Sequence, residues 1–324
     1  NSRREGMVTL DNIRGSLLGL AAADAAGVPY EFKDRNVMKQ NPALDMTGYG
    51  THGQPPGTWS DDSSLSFCLA ETLAEGFDLN KLADKFLRWK ENAYWTAHGS
   101  VFDIGITTSA SISRYARSRN PYSSGAAGER ENGNGSLMRI LPLIFYIQDM
   151  NEDERFRIVK EVSSVTHSHI ISVLACFIYT EYSILILKGG DRFSAYFIIK
   201  EFMKKYIQDR KICTHQTLSF FKRILDKDSV PIYELKEKEI HSGGFVVDTL
   251  EASLWAFLST ENYKDAVLRA VNLGDDTDTT ACAAGGLAGL YYGSSAIPEH
   301  WLSLLAGRED IEALAERLFL KLEK

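Results

Sequence analysis

The stretch Ile13-Arg14-Gly15-Ser16-Leu17-Leu18-Gly19-Leu20-Ala21 decides the fold class. Ile13, Leu17, Leu20 and Ala21 stand at i, i+4, i+7 and i+8, the spacing of an amphipathic helix. Asp11 or Asn12 can cap its start, and Gly27 followed by Pro29 ends it. The same period recurs along the chain. It marks a helix from Ser60 with Leu65, Leu69 and Leu73, another over Leu79–Trp95, and a third over Ile104–Ala116. Further helices are expected over 137–147, 155–165, 168–187, 194–208, 218–225, 247–258, 263–272 and 277–292, with a tail helix from Glu309. The Gly- and Pro-rich segment from Tyr30 to Trp59 shows neither helix nor strand period and is expected to be an ordered, irregular loop. No convincing alternating run, internal repeat or linker appears. The expectation is a single compact all-α domain of about a dozen helices over residues 7–324. Asn1–Gly6 is polar and reads as an expression remnant or disordered start, with Met7 the better native start.

Composition narrows the function classes. The chain of 324 residues carries 36 Lys plus Arg against 43 Asp plus Glu, a net charge of −7 that disfavours nonspecific binding to a phosphate backbone. The most apolar stretch, Ile170–Leu187, is interrupted by Glu181, so no membrane span is expected. Cys68, Cys176, Cys213 and Cys282 form no CxxC pair, which argues against a disulfide framework or zinc cluster and fits a cytoplasmic protein. Lys and Glu crowd 188–239, read as solvated helix faces and loops.

Two acidic stretches stand apart. One is Gly57-Thr58-Trp59-Ser60-Asp61-Asp62-Ser63-Ser64, the other Gly274-Asp275-Asp276-Thr277-Asp278-Thr279-Thr280. Each lies where a helix begins, so capping by Ser, Thr or Asp is the plain alternative. Capping needs one oxygen, however, and both stretches run into strongly apolar helices, where unpaired charge is expensive. Carboxylates with Ser and Thr hydroxyls are hard ligands suited to Mg²⁺, Mn²⁺ or Ca²⁺ rather than Zn²⁺. On a regular helix Asp276 and Asp278 would point about 200° apart. They can share a metal centre only through a non-helical lead-in or a bridging carboxylate. Glu31, after Gly27-Val28-Pro29-Tyr30, is either a surface acid or, if the fold brings it to the clusters, a general base.

These residues resemble the ADP-ribosylglycohydrolase family, which includes the dinitrogenase-reductase-activating glycohydrolase. Ile13 through Ala21 with Asp24, Gly27, Pro29 and Glu31 is similar to its first helix and Glu. Gly57–Asp62 is similar to its hydroxyl-Asp-Asp motif, and Asp103-Ile104-Gly105-Ile106-Thr107-Thr108 to the next. Gly133-Asn134-Gly135-Ser136-Leu137-Met138-Arg139 with Pro142, then Thr166-His167, match two more, and Gly274–Thr279 resembles the GGDTDT signature. The resemblance implies an all-α enzyme with two Mg²⁺ or Mn²⁺ ions that cleaves the bond at the ribose anomeric carbon. Carried over, Ser60, Asp61, Asp62, Asp276, Asp278 and Thr279 are the metal ligands. Glu31 lies beside the metals and the water, and Asp103 is an acid near the ribose or leaving group. Gly133, Asn134, Gly135 and Ser136 hold the pyrophosphate through backbone N–H groups, as Gly-rich turns do. His167 lies near the ADP-ribose, or is a structural histidine at a helix start. Two departures are visible: Ser60 replaces the usual Thr and keeps the hydroxyl, whereas Asp275 replaces the second Gly and adds a charge beside the metals.

The implied partners are an ADP-ribosylated protein, with arginine linkage favoured, or an ADP-ribose-containing small molecule, together with a cognate ADP-ribosyltransferase. The alternative is a non-catalytic ADP-ribose-binding or immunity protein on the same scaffold. Against it, every metal-type position keeps an oxygen ligand. Little chain precedes the first helix, so no plugging extension is expected.

Overall fold

The computed structural model describes residues 6–324. The expected remnant therefore lies, Gly6 apart, outside the described residues. The chain order is α1 (Leu10–Gly27), α2 (Arg35–Gln40), α3 (Asp61–Glu75), α4 (Leu79–Asn92), α5 (Ile106–Ser118), α6 (Ile144–Ile147), α7 (Glu152–Ser164) and α8 (Ile170–Leu187). It continues through α9 (Arg192–Arg210), α10 (His215–Ser219), α11 (Lys222–Leu225), α12 (Val246–Leu258), α13 (Tyr263–Val271), α14 (Thr277–Tyr292), α15 (Glu299–Leu304) and α16 (Arg308–Leu322). Among the described residues only isolated bridges form, such as Gly133 with Phe245, so the all-α expectation holds.

One antiparallel helix pair organises the molecule. α1 and α14 meet backbone to backbone through Gly15 and Gly19 on one side and Gly285 and Gly289 on the other. A Cβ at Gly289 would stand 2.0 Å from the Gly15 carbonyl oxygen, and one at Gly285 would stand 2.2 Å from the Ala23 Cβ. Only glycine permits this approach. At the other end a Cβ on Gly27 would lie 2.5 Å from the Asp278 Cα. The C-terminus of α1 is thus pressed against the start of α14. Thr277 Oγ1 donates to the Gly27 carbonyl at 2.7 Å and locks that register.

Several expectations shift locally. Thr9, not Asp11 or Asn12, is the N-cap of α1, and Asn12 completes a capping box. Asp11 instead accepts from Ser294. The 30–59 segment contains the short helix α2, capped by Asp34, and a 3-10 turn at Gly50–His52. The 137–147 segment is not one helix. It is two 3-10 turns followed by the four-residue α6, because Pro142 supplies no N–H for a continuous ladder. The expected 218–225 helix is divided between α10 and α11 at Phe220–Phe221. α8 is long and apolar enough to cross a membrane by length and composition, but 83% of it is buried inside the fold. Its Glu181 is met by Arg155 through paired bonds of 2.6 and 3.0 Å.

Candidate active site

The acids converge where α1 ends and where α3 and α14 begin. Ser60 is the N-cap of α3 and Asp276 that of α14, yet neither side chain caps its own helix. The capping alternative therefore does not describe these residues. Asp24, from α1, does the capping of α3 from outside. Its Oδ2 accepts from the Ser60 and Ser63 backbone N–H groups at 2.9 and 3.2 Å and from Ser63 Oγ at 2.6 Å. Ser60 Oγ lies 2.8 Å from Asp24 Oδ1 and 2.9 Å from Asp62 Oδ2. Asp276 has φ −89° and ψ 70°, the non-helical lead-in that lets it turn to the same place as Asp278.

Ligand atoms of Asp24, Asp62 and Asp278 lie within 4.8 Å of one another, and so do those of Glu31, Asp276 and Asp278. The same holds for Asp61, Asp103 and Asp278. Asp278 is common to all three groups. Burial first, then neighbouring carboxylates, hold Asp61, Asp62 and Asp278 well above the usual carboxylate range. Burial also raises Asp103 and Glu31, and it pushes Asp24 up to about 6 despite its four hydrogen bonds. Three carboxylate oxygens, Asp62 Oδ1, Asp276 Oδ1 and Asp278 Oδ2, are buried with no hydrogen-bond donor. Orphaned buried acceptors packed among like charges are costly unless a cation sits among them. An all-oxygen donor set of carboxylates and hydroxyls fits Mg²⁺ or Mn²⁺.

Above the acids opens a cleft of about 330 Å³. Glu31, Asp61, Asp103, Asp276 and Thr279 line its acidic end. Gly133, Asn134, Gly135 and His167 line the wall beyond, together with Thr107 and Thr108, and a Cβ on Gly135 would stand 2.8 Å from Thr108 Oγ1. Asn134 Nδ2 ties the two ends together by donating to Asp276 Oδ2 at 2.8 Å and Thr249 Oγ1 at 2.9 Å. Ser136 stands apart: its Oγ faces Ser163 Oγ at 2.9 Å and Cys176 Sγ, away from the cleft. His167 belongs to the wall and precedes α8 by a turn, for the helix begins at Ile170 and His169 is its N-cap.

Residues 6–324 match the ADP-ribosylglycohydrolase family. The chain belongs to that family. It is 33% identical to an ADP-ribosylarginine hydrolase Tri1 of Serratia proteamaculans (strain 568), over 96% of this chain and 80% of the relative. It is 28% identical to an ADP-ribosyl-[dinitrogen reductase] glycohydrolase of Rhodospirillum rubrum, over 91% of this chain and 89% of that one. A solved structure described as an ADP-ribosylglycohydrolase-related protein complex superposes with a TM-score of 0.79 at 31% identity, covering 96% of this chain and 98% of the other. The protein is therefore an enzyme of the ADP-ribosylglycohydrolase class, and its reaction is removal of ADP-ribose.

The family frame makes two residues visible that sequence reading left without a role. His52 Nε2 lies 2.7 Å from Glu31 Oε1, and its ring packs between Phe32 and Phe102 at centroid distances of 6.0 and 5.3 Å. No sequence signal links His52 to Glu31, because an irregular loop brings them together. Asp24 lies one helical turn before Gly27, and only the α1–α3 contact reveals its capping role. Asp275, the departure from GGDTDT, has φ 60°, which explains a Gly preference there. Its carboxylate is exposed and accepts from Ser242 Oγ at 3.3 Å, outside the cleft.

Proposed function

We propose that this enzyme hydrolyses the N-glycosidic bond between ADP-ribose and an arginine side chain of a modified protein, using two divalent cations. The convergence of three orphaned carboxylate oxygens beside the Ser60 hydroxyl, beneath the end of the cleft that Asp276 and Thr279 line, carries the metal-dependent part of this reading. The arginine linkage is supported by two relatives named ADP-ribosylarginine hydrolase, 33% and 34% identical over nearly the whole chain.

Ser60, Asp61, Asp62, Asp276, Asp278 and Thr279 would hold the ions. When bound, Mg²⁺ or Mn²⁺ orients ribose hydroxyls and acidifies water in the site. The chain's own residues do the rest. The Gly133–Gly135 turn has no side chain at either end, so the diphosphate can approach the Gly133 and Gly135 N–H groups, while the Asn134 N–H is held by the Gly244 carbonyl at 2.9 Å. His52 holds the Glu31 carboxylate through Nε2 at 2.7 Å, so its orientation is set before substrate arrives. Glu31 takes a proton from the attacking water. Asp103, with a carboxylate oxygen within 4.8 Å of Glu31 and His52 ligand atoms and its carboxyl raised by burial, gives a proton to the departing nitrogen. Positive charge developing on the ribose is balanced by the surrounding carboxylates.

The test is release of ADP-ribose from an arginine-ADP-ribosylated protein with Mg²⁺ or Mn²⁺, repeated with excess chelator and with a serine-linked substrate. Release that chelator abolishes, with the arginine substrate preferred, is the expected result. Chelator-insensitive release overturns the metal assignment, and preference for the serine substrate overturns the linkage. Glu31→Gln should lower kcat by roughly 10²-fold or more with little change in KM.

A further inference from the structure

Arg139 is fully buried and no carboxylate pairs with it among the described residues. Its guanidinium lies over the Phe86 ring at 4.7 Å, and its Nη2 donates to the Val162 carbonyl at 3.1 Å and to Thr166 Oγ1 at 2.8 Å. A lone buried cation of this kind is expensive. Nothing in the acid chemistry of the cleft touches it. Its one side-chain hydrogen bond leads elsewhere. Thr166 Oγ1 also lies 2.8 Å from His167 Nδ1.

The hydrogens in this chain of contacts can be placed. A guanidinium only donates, so Thr166 Oγ1 accepts from Arg139. The hydroxyl has one hydrogen of its own, and the single acceptor in reach is His167 Nδ1. Thr166 is fully buried, so no solvent offers another. The reverse arrangement, with Nδ1–H donating to Thr166, would give the oxygen two donors and strand its hydrogen in the core, the costlier state. Burial, reinforced by the Arg139 charge, pushes His167 down to about 3, so the ring is neutral across the working pH range. Its other nitrogen faces the Gly-rich wall. A Cβ on Gly135 would stand 2.7 Å from His167 Cε1 and 3.2 Å from Nε2, and one on Gly133 would stand 3.9 Å from Nε2.

We propose that Arg139 and Thr166 are positioning residues that fix the tautomer of His167, so that Nε2 carries the proton and donates into the cleft to an oxygen of the ADP-ribosyl group. A neutral imidazole with the opposite tautomer would present a lone pair there and repel phosphate and ribose oxygens. The relay thus converts a buried, unpaired arginine into a fixed donor at the substrate wall without placing a second cation beside it.

The decisive measurement is long-range ¹H–¹⁵N correlation on histidine-labelled protein, with the His167 signals identified by their loss in His167→Gln. Pyridine-like Nδ1 and pyrrole-like Nε2 are expected. A pyrrole-like Nδ1 in the wild-type protein overturns the proposal. Thr166→Val keeps the shape and removes the hydroxyl. It should weaken binding of free ADP-ribose about tenfold and give a mixed or reversed tautomer, and Thr166→Ser should restore both. Unchanged ADP-ribose affinity in a folded Thr166→Val protein also overturns it. If Thr166→Val fails to fold, the wild-type tautomer decides alone. Neither readout depends on turnover, so an error in the arginine-linkage reading leaves this test intact.

Discussion

Phe32 is an aromatic residue at φ 70°, a left-handed conformation that bulky side chains rarely adopt, and it is 71% exposed. Its N–H donates to the Asp275 carbonyl at 2.8 Å, and Asp275 returns a bond to Lys33 at 2.8 Å. The two loops that flank the acids are therefore stitched together through two residues at positive φ. Phe32→Gly should raise the free energy of unfolding by about 1 kcal/mol, because relief of strain outweighs the small area lost. The same variant should turn over more slowly, since the His52 ring that holds Glu31 leans on Phe32. A denaturation midpoint at or below wild type would contradict the strain argument. Glu251 gives a pH test remote from the acids. Burial pushes it up to about 7, offset in part by Arg223 at 3.4 Å. Below the unfolded value near 4.5 the carboxyl is protonated in both states. Between that value and about 7 the folded state keeps a proton that the unfolded state has released, so stability falls as pH rises. Glu251→Gln should consequently stabilise by about 1–2 kcal/mol at pH 8 and be neutral at pH 4, as read by urea denaturation at both values. A gain at pH 4 equal to that at pH 8 would rule out this origin.

Elements were legible from period and punctuation, and their failures have local causes. The hydrophobic repeat of α1, α3, α12 and α14 located each of them, and Gly76 is the C-cap that closes α3. Pro142 broke a segment whose apolar residues carried a helical period. α2 escaped notice because its six residues, Arg35–Gln40, are too few to display one. The pairing of α1 with α14 escaped it too, although both carry glycines four apart. Gly15 with Gly19 and Gly285 with Gly289 read as composition until the helices are seen to touch. That contact carries an element-scale prediction. Gly289→Ala would drive a methyl into the Gly15 carbonyl, where no flexible side chain can yield, so the helices must separate. The expected loss is about 3 kcal/mol of stability. Because the same pair sets the start of α14 against the end of α1, affinity for divalent cations should fall as well. Isothermal titration with Mn²⁺ on the folded variant measures it. Stability within about 0.5 kcal/mol of wild type would show that the close approach is not enforced.

At the scale of the molecule, the fold gathers charge from chain positions more than two hundred residues apart. Asp24, Asp61, Asp62 and Asp278 are all buried, and the last three are held well above the ordinary carboxylate range. Sequence placed the acids in two clusters and named Glu31 and Asp103. It gave Asp24 no role and did not supply His52, because capping from another helix and support across a loop leave no mark on local spacing. A centre of this kind is a burden on the metal-free fold, since like charges in low dielectric repel. Cations that bind the folded state alone would reverse the sign. Saturation at about a hundred times Kd contributes about 2.7 kcal/mol. For a domain of this size that is a rise in Tm of roughly 5 °C over chelator-treated protein. Asp62→Asn separates the two terms. It removes a buried charge, one oxygen of which has no hydrogen-bond donor, so its metal-free form should melt at or above the wild-type metal-free temperature. It also removes a proposed ligand, so Mg²⁺ or Mn²⁺ should no longer raise its Tm. A wild-type protein that melts at one temperature with either cation and with chelator would remove the metal centre. A variant that melts lower in chelator would show instead that Asp62 stabilises the fold by its hydrogen bond to Ser60.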